Sequence, residues 1–562
     1  MARVSADFDR ISNFRIIMVW GIVAALLLFL VTRLLIIQVI SPEKLIREGN
    51  SRVLRAFSFE PPRGLITDRR GKILSISVPV KSVYADARVM AEAGVTDDAG
   101  QMGKLAAILE VEESRLRELL GDPARRSVRL KRYLSPERAR RLEALHVPGL
   151  SIADNYQRSY PTGEVNAQLV GMLNADGNGV YGVEQSFNSY LAATSSKSMA
   201  KKDLHGHIIE NMGVIQEGKA GGNLMLSVDD RLQAFAYNAL TEAVTHHQAD
   251  HGNAILMDVR TGEVLAMVGS PSFDPNERSR FRPELALNRA LADSFEPGST
   301  VKPLVALSAL EAGVTSWNET FDTRPYTVDG KRISDSHPMA SGSLRDILKY
   351  SSNTGMARIA QRMGPLKILR TLEQFGLGRH TSSGLVGEVD GTLNAGRRFW
   401  AEIDKATLGF GYGIAVTAMQ LTSAYATLAN YGSRVRVSLL RSHQPEVGVQ
   451  VASPREVRRL HEALETIVTE GTGTVASISR YRIAGKTGTA RIAGAGGYAE
   501  KKYIATFAGF APISSPRFAL VVVIKNPRSG GIYGGQVSGP VFQKIMTRAL
   551  QMYNIEPDAA AR

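Results

Sequence analysis

The chain has 562 residues, 44% of them hydrophobic and 22% charged, too many for a single core and in proportions that predict two to four globular domains rather than large-scale disorder. Its formal net charge is +14, but the basic residues are scattered and form no nucleic-acid motif, so no nucleic-acid partner is expected and an anionic membrane surface or polymer suits the charge as well. The absence of cysteine excludes disulfides, thiol nucleophiles, thiolate metal sites and a lipidated N-terminal cysteine, and the ten histidines form no H-E-x-x-H or comparable cluster that would make a metal enzyme.

Residues 1–15 read as a short cytoplasmic tail and residues 16–40 as a membrane anchor. Ile16 to Thr32 (IIMVWGIVAALLLFLVT) carries no charge, and apolarity resumes through Leu34 to Ile37. A membrane helix needs roughly 20 apolar residues, whereas a signal-peptide core has about 7 to 15. No small-x-small cleavage site follows, so the anchor is expected to stay in place. Arg33 is expected near the outer interface, its stem in the apolar zone. Flanking charge does not set the orientation, because Arg3, Arg10 and Arg15 on one side face Lys44, Arg47, Arg52 and Arg55 on the other.

Residues 41–220 read as mixed α and β segments. Arg63 to Val78 (RGLITDRRGKILSISV) alternates apolar residues about Asp68-Arg69-Arg70-Gly71, a hairpin pattern. Lys104 to Leu120 and Ser135 to His146 read as amphipathic helices, and Thr194 to Lys202, small and polar, as a surface loop. Lys219 to Asn223 (KAGGN) marks a boundary. Residues 221–553 then follow an α+β pattern. NAILMDVRTGEVLAMVGS predicts two strands about Arg260-Thr261-Gly262. Ser299 opens an apolar helix that Gly313 closes, with Pro303 unusually deep in its first turn. Gly409 to Gly413 (GFGYG) is a Gly-rich turn before a long buried helix. RIAGKTGTARI and FAGFAPISSPRFALVVVIKNP supply three strands of an antiparallel sheet. Residues 554–562 remain as a C-terminal tail.

Three short patterns in this second region carry chemistry: Ser299-x-x-Lys302, Ser351-Ser352-Asn353 and Lys486-Thr487-Gly488-Thr489. Alone, each is weak. Ser41/Lys44 and Ser198/Lys201 repeat the first spacing, and Ser186-Phe187-Asn188 and Ser316-Trp317-Asn318 repeat the second. Their order and flanks, FEPGSTVKP, YSSNTGMA and IAGKTGTA, single out one copy of each. A serine hydroxyl is a poor nucleophile until a base takes its proton. Positions i and i+3 share a helix face, so Lys302 can be that base if burial and a neighbouring positive charge lower its pKa. Ser351 can relay a proton to a leaving amine, and the Asn353 amide can bind a substrate peptide group. Lys486, with the Thr487 and Thr489 hydroxyls, can hold a substrate carboxylate. Gly488 keeps a strand edge clear for an extended peptide, and the N–H groups of Ser299 and Thr489 can form an oxyanion hole.

With these motifs the chain resembles a class B penicillin-binding protein. The likeness extends to RGLITDRRG (residues 63–71), RSYPTGEVNAQLVG (158–171) and GVYGVEQSF (179–187), which look like the family's pedestal motifs. Within these, Arg63, Asp68, Arg158 and Glu184 are read as structural ion pairs that position the domains and do no chemistry. The resemblance spans Arg63 to about Tyr553. It implies an α+β protein with an N-terminal transmembrane helix, an elongated pedestal and a penicillin-binding domain built on a five-stranded antiparallel sheet flanked by helices. It further implies a cofactor-free D,D-transpeptidase that cross-links peptidoglycan stem peptides outside the inner membrane, is acylated by β-lactams and works with divisome membrane proteins including a glycosyltransferase; a homodimer is compatible with it. FEPGSTVKP and GFGYG look like the cell-division branch, the elongation branch carrying other residues before the lysine and at Tyr412. The loop GLVGEVDGTLNAGRR departs from the division pattern at Leu393-Asn394, and Asp390 then resembles superficially the deacylating carboxylate of a β-lactamase. The rival readings are a β-lactamase, a non-enzymatic β-lactam receptor or divisome scaffold, and an elongation-type transpeptidase.

Overall fold

The computed structural model describes residues 2–40, 43, 47, 54–59, 61–125, 127–202, 208–442, 447–494 and 497–560; the Ser41/Lys44 repeat lies outside them. Helix α1 (Ala2–Leu35) and the turn of helix after it carry the one segment among these residues that is long and apolar enough to cross a membrane, Asn13–Val39, whose most apolar 18 residues have a mean hydropathy of 2.6. Its apolar side chains are exposed rather than packed in a core, as lipid-facing side chains are.

The chain divides into two compact units. The smaller comprises residues 1–61 and 193–220. It contains an antiparallel sheet in which Ser196–Lys202 lies between Leu54–Phe59 and Ile208–Gln216. Most of the segment expected as a surface loop is therefore a central strand. Pairing on both edges, with Ile208–Gln216 just downstream and with the distant Leu54–Phe59, overrides its weak local signal. The strand also disposes of one rival pattern, because Ser198 and Lys201 are an odd number of residues apart and point to opposite faces.

The larger unit comprises residues 62–192 and 221–562. Its N-terminal part holds the predicted hairpin, with Ile66–Thr67 against Ile73–Ser75 and Gly71 at φ +86° in the turn. Strand Ile73–Ala85 pairs further with Leu150–Ser159 and Val128–Leu134. Four helices cover a core of Met90, Met102, Leu105, Leu116 and Leu142 beside it. The helix expected over residues 104–120 is two: Glu110 takes a left-handed φ of +52° and separates Ala99–Leu109 from Glu113–Leu120. Pro136–Glu143 forms as predicted, with the Ser135 hydroxyl accepting from Arg138 N.

The pedestal motifs close around buried acids. The Glu184 carboxylate, wholly buried, accepts from Arg63 Nε and Arg158 Nε at 2.7 Å each and from Ser75 Oγ at 3.1 Å. Asp68 acts differently from an ion-pair partner. It accepts backbone N–H bonds from Arg70 and Lys72, both 2.8 Å, and from Asp230 at 3.2 Å, tying the hairpin to the start of helix α2 (Asp230–His246).

The rest of this unit is built on five strands: β1 (His251–Asp258), β2 (Val264–Ser270), β3 (Ala484–Gly494), β4 (Gly497–Ala511) and β5 (Phe518–Lys525), paired antiparallel in the order β2-β1-β5-β4-β3. The run FALVVVIK reads as unbroken hydrophobicity because both its faces are covered. Leu520, Val522 and Ile524 pack into one core with α2 and the C-terminal helix Gly539–Met552, whereas Ala519, Val521 and Val523 pack into another. That second core receives helix α3 (Lys302–Glu311), α4 (Asn353–Met363) and the wholly buried α5 (Ala418–Ala429). Pro303 falls at the second position of α3, where its missing N–H has no helical partner to lose. The C-terminal tail lies on the body, with the Asp558 carboxylate accepting from Arg482 N at 2.7 Å and Ser514 N at 3.0 Å.

Candidate active site

Ser299 sits in a 3-10 turn, Gly298–Val301, that runs directly into α3. The Lys302 N–H closes this turn on the Ser299 carbonyl. Residues three apart eclipse in such a turn, so Ser299 stacks over Lys302. The backbone leaves no choice of residue around it. Gly298 is left-handed at φ +54°, and a Cβ on the facing Gly411, at φ +87°, would lie 2.2 Å from the Gly298 carbonyl oxygen. The GFGYG turn therefore shapes the Ser299 turn. From below, the buried Tyr425 hydroxyl of α5 donates to the Thr300 carbonyl at 2.8 Å.

The second pattern meets the first through the lysine. Lys302, with no exposed surface, donates to the Ser351 carbonyl at 2.6 Å, Asn353 Oδ1 at 2.8 Å and Ser351 Oγ at 3.3 Å. Ser351 is left-handed (φ +60°), a strained conformation for a residue with a Cβ. It is this conformation that turns both its carbonyl and its hydroxyl toward the lysine. The third pattern arrives on β3, an edge strand, from which Lys486 Nζ donates to Ser351 Oγ at 2.9 Å. Two buried amines thus converge on one hydroxyl. Burial, and then the charge of Lys486, hold the Lys302 amine well below the usual lysine range, while the Asp335 carboxylate pulls the other way. Burial brings Lys486 down to about 7.

Gly488 has a different reason from the one its motif suggests. A Cβ there would lie 2.7 Å from Thr300 Cγ2 and 3.3 Å from the Pro297 carbonyl, so glycine lets β3 close on the Ser299 turn. Thr487 Oγ1 lies 2.8 Å from Thr472 Oγ1, and Thr489 Oγ1 accepts from Gly534 N at 3.0 Å, leaving its own proton to donate. The first repeat of the second pattern is occupied elsewhere: Ser186 Oγ donates to the Gly182 carbonyl and Asn188 Oδ1 accepts from Gly179 N. Asp390 has a carboxylate 60% exposed, with His380 Nε2 3.7 Å away.

No sequence pattern pointed to Asp335. Its carboxylate accepts from Asn353 N at 2.6 Å, Thr354 N at 2.9 Å, Thr354 Oγ1 at 2.6 Å and Ser352 Oγ at 2.5 Å. It therefore caps the N-terminus of α4 and fixes the strained Ser351 turn against it. Asp335→Asn keeps the shape but turns an acceptor oxygen into a donor facing donors. Acylation should fall by about 10- to 100-fold, the scale of small misplacements in a site. Removing the carboxylate also lowers the Lys302 pKa further, so the acid limb of the acylation rate should move to lower pH. Stopped-flow acylation across pH tests both, and an unmoved acid limb would limit Asp335 to a structural role.

Comparison with known proteins accords with this geometry. A family model described as the penicillin binding protein transpeptidase domain matches residues 252–547, and one described as the penicillin-binding protein dimerisation domain matches residues 58–226. The chain belongs to the penicillin-binding protein transpeptidase family. It is 41% identical over 549 residues to the peptidoglycan D,D-transpeptidase FtsI of Escherichia coli K12, covering 97% of this chain and 93% of that one. It is 35% identical to the probable peptidoglycan D,D-transpeptidase PenA of Neisseria gonorrhoeae, covering 97% and 94%. In fold it is similar to a crystal structure of a peptidoglycan synthetase from Bifidobacterium adolescentis, with a TM-score of 0.71 at 24% identity over 91% of this chain and 98% of that one.

Proposed function

We propose that this protein is a D,D-transpeptidase that cross-links peptidoglycan stem peptides through an acyl-Ser299 intermediate during septal wall synthesis. The observation that carries the proposal is the meeting of Lys302, Asn353 and Lys486 at Ser351, one turn from Ser299. Ser299 Oγ attacks the carbonyl of the D-Ala-D-Ala bond as its proton passes to neutral Lys302. Ser351 Oγ accepts N–H from both lysines, which leaves its own proton for the departing amine; Lys302 replenishes it. Terminal D-alanine leaves, and the amine of a second stem peptide then attacks the acyl carbonyl and frees Ser299. The Ser299 and Thr489 N–H groups hold the oxyanion, Asn353 orients the peptide, and Lys486 with Thr487 and Thr489 holds the substrate carboxylate. A β-lactam enters as a mimic of the same substrate and remains as a penicilloyl ester.

The domain plan that goes with this reading is a cytoplasmic tail (1–15), an inner-membrane anchor (16–40), a pedestal (41–220), a catalytic domain (221–553) outside the cytoplasmic membrane and a tail (554–562). Such an enzyme polymerises no glycan itself and works beside a membrane glycosyltransferase and other divisome proteins. A β-lactamase would need a carboxylate within about 2.6–3.2 Å of a water aligned on the acyl carbonyl. Asp390, the one candidate its sequence suggested, lies largely in solvent beside His380.

One experiment covers function and orientation. Spheroplasts carrying the full chain are labelled with a fluorescent penicillin that does not cross the membrane, free drug is removed and the adduct is followed. Labelling should occur, should outlast the acylation step by far, and should have the same lifetime in Asp390→Asn. Absence of label in spheroplasts that label after lysis would reverse the orientation. Loss of the adduct within seconds, prevented by Asp390→Asn, would make the protein a β-lactamase.

A further inference from the structure

The loop between the helix Pro454–Thr469 and the strand β3 takes no part in the three patterns, yet it reaches the site. Thr472 Oγ1 lies 2.8 Å from Thr487 Oγ1. Three close approaches hold the loop. A Cβ on Gly471 would lie 2.7 Å from the Lys349 carbonyl, and one on Gly473 would lie 3.2 Å from the Phe507 ring. From the far side, a Cβ on Gly535 would lie 2.5 Å from the carbonyl of Thr472 itself. Glu470, next along the loop, pairs with Lys349, two residues before Ser351. The position of Thr472 is thus tied both to the edge strand and to the serine turn.

We infer that Thr472 is a positioning residue that sets the direction of the Thr487 hydroxyl and thereby the enzyme's preference for substrates bearing a free carboxylate; this rests on the proposed role of Thr487. The reason is hydrogen-bond direction. Each hydroxyl carries a single proton. If Thr487 donates to the substrate carboxylate, the bond between the two threonines can only run from Thr472 to Thr487. That bond polarises the Thr487 O–H toward the anion and stops it turning back toward the loop. The two hydroxyls then act in series, and the inner one never touches the substrate.

The test compares benzylpenicillin with its methyl ester on the full-length protein in detergent. The readout is the ratio of their second-order acylation rate constants, which reports use of the carboxylate and is indifferent to a general loss of activity. Thr472→Val, close in shape and lacking the hydroxyl, should lower that ratio by roughly three- to tenfold, the worth of one neutral hydrogen bond. Thr472→Ser should restore it, and Thr472→Ala, which also lacks the hydroxyl, takes the place of the valine variant if that fails to fold. Thr487→Val should lower the ratio at least as much. Should Thr487→Val lower the ratio while Thr472→Val leaves it unchanged, or Thr472→Ser fail to restore it, the inference about Thr472 is overturned and the carboxylate reading stands. An unchanged ratio in Thr487→Val would remove the carboxylate role of Thr487, and the inference with it.

Discussion

Ser299→Ala should fold, melt within about 1 °C or 2 °C of wild type and take up no penicillin, because one half-buried hydroxyl contributes little to stability and everything to acylation. Turnover of a D-Ala-D-Ala peptide should fall on the order of 10⁶-fold, as when other serine nucleophiles are removed. Intact mass and peptide mapping check it: in wild type the added mass lies on the peptide containing FEPGSTVKP, and in the variant it is absent. Mass recovered on Ser198 or Ser41 would show that a different serine carries the chemistry. The strand geometry argues against Ser198, whose lysine partner points to the opposite face.

Lys302→Met should acylate 10²- to 10⁴-fold more slowly, the contribution of a general base. Methionine nearly fills the lysine's space in the buried position and carries no amine. The pH dependence gives a sharper outcome. Lys302 works as a base only when neutral, and burial and Lys486 lower its pKa, so the wild-type rate should rise with pH on a limb far below the ordinary lysine value of about 10.4. Lys486 works as a charge, and its pKa of about 7 should bring the rate down again as pH rises through that value. A bell-shaped profile results, and Lys302→Met should lose its acid limb. For stability the sign is the reverse of a salt-bridged lysine. The unfolded chain binds a proton at Lys302 that the folded chain resists, so this group's penalty is full below the folded pKa and fades as pH rises toward the unfolded value. A variant that acylates at the wild-type rate with both limbs intact would reduce Lys302 to a structural role.

How far the sequence carried the reading depended on the kind of signal. The anchor, the hairpin about Gly71, the strands about Gly262 and the buried run FALVVVIK are local patterns of hydrophobic period and turn residues, and each formed as its pattern implies. The two misread segments failed for identifiable reasons. Residues 104–120 keep a helical period across Glu110, where a left-handed residue breaks the helix without any glycine to announce it. Residues 196–202 are a strand between two partners, and one of these, Leu54–Phe59, lies far back in the chain, where no local window reaches.

For the site the division is similar. Order and flanks of three motifs in the sequence determined which serine, lysine and asparagine are the candidates, because that chemistry demands specific side chains at short spacing. Only the tertiary structure decided how they meet. The convergence of Lys302 and Lys486 on Ser351 joins positions 184 residues apart (302 to 486), and the depressed pKa values follow from a burial that no motif encodes. The same holds for Asp335, whose carboxylate is an ordinary loop aspartate in the sequence. It becomes the support of the strained serine turn only because folding packs its loop against the N-terminus of α4. Hydrogen-bond acceptors of this kind are chosen by distance and direction in space, and a linear pattern carries neither.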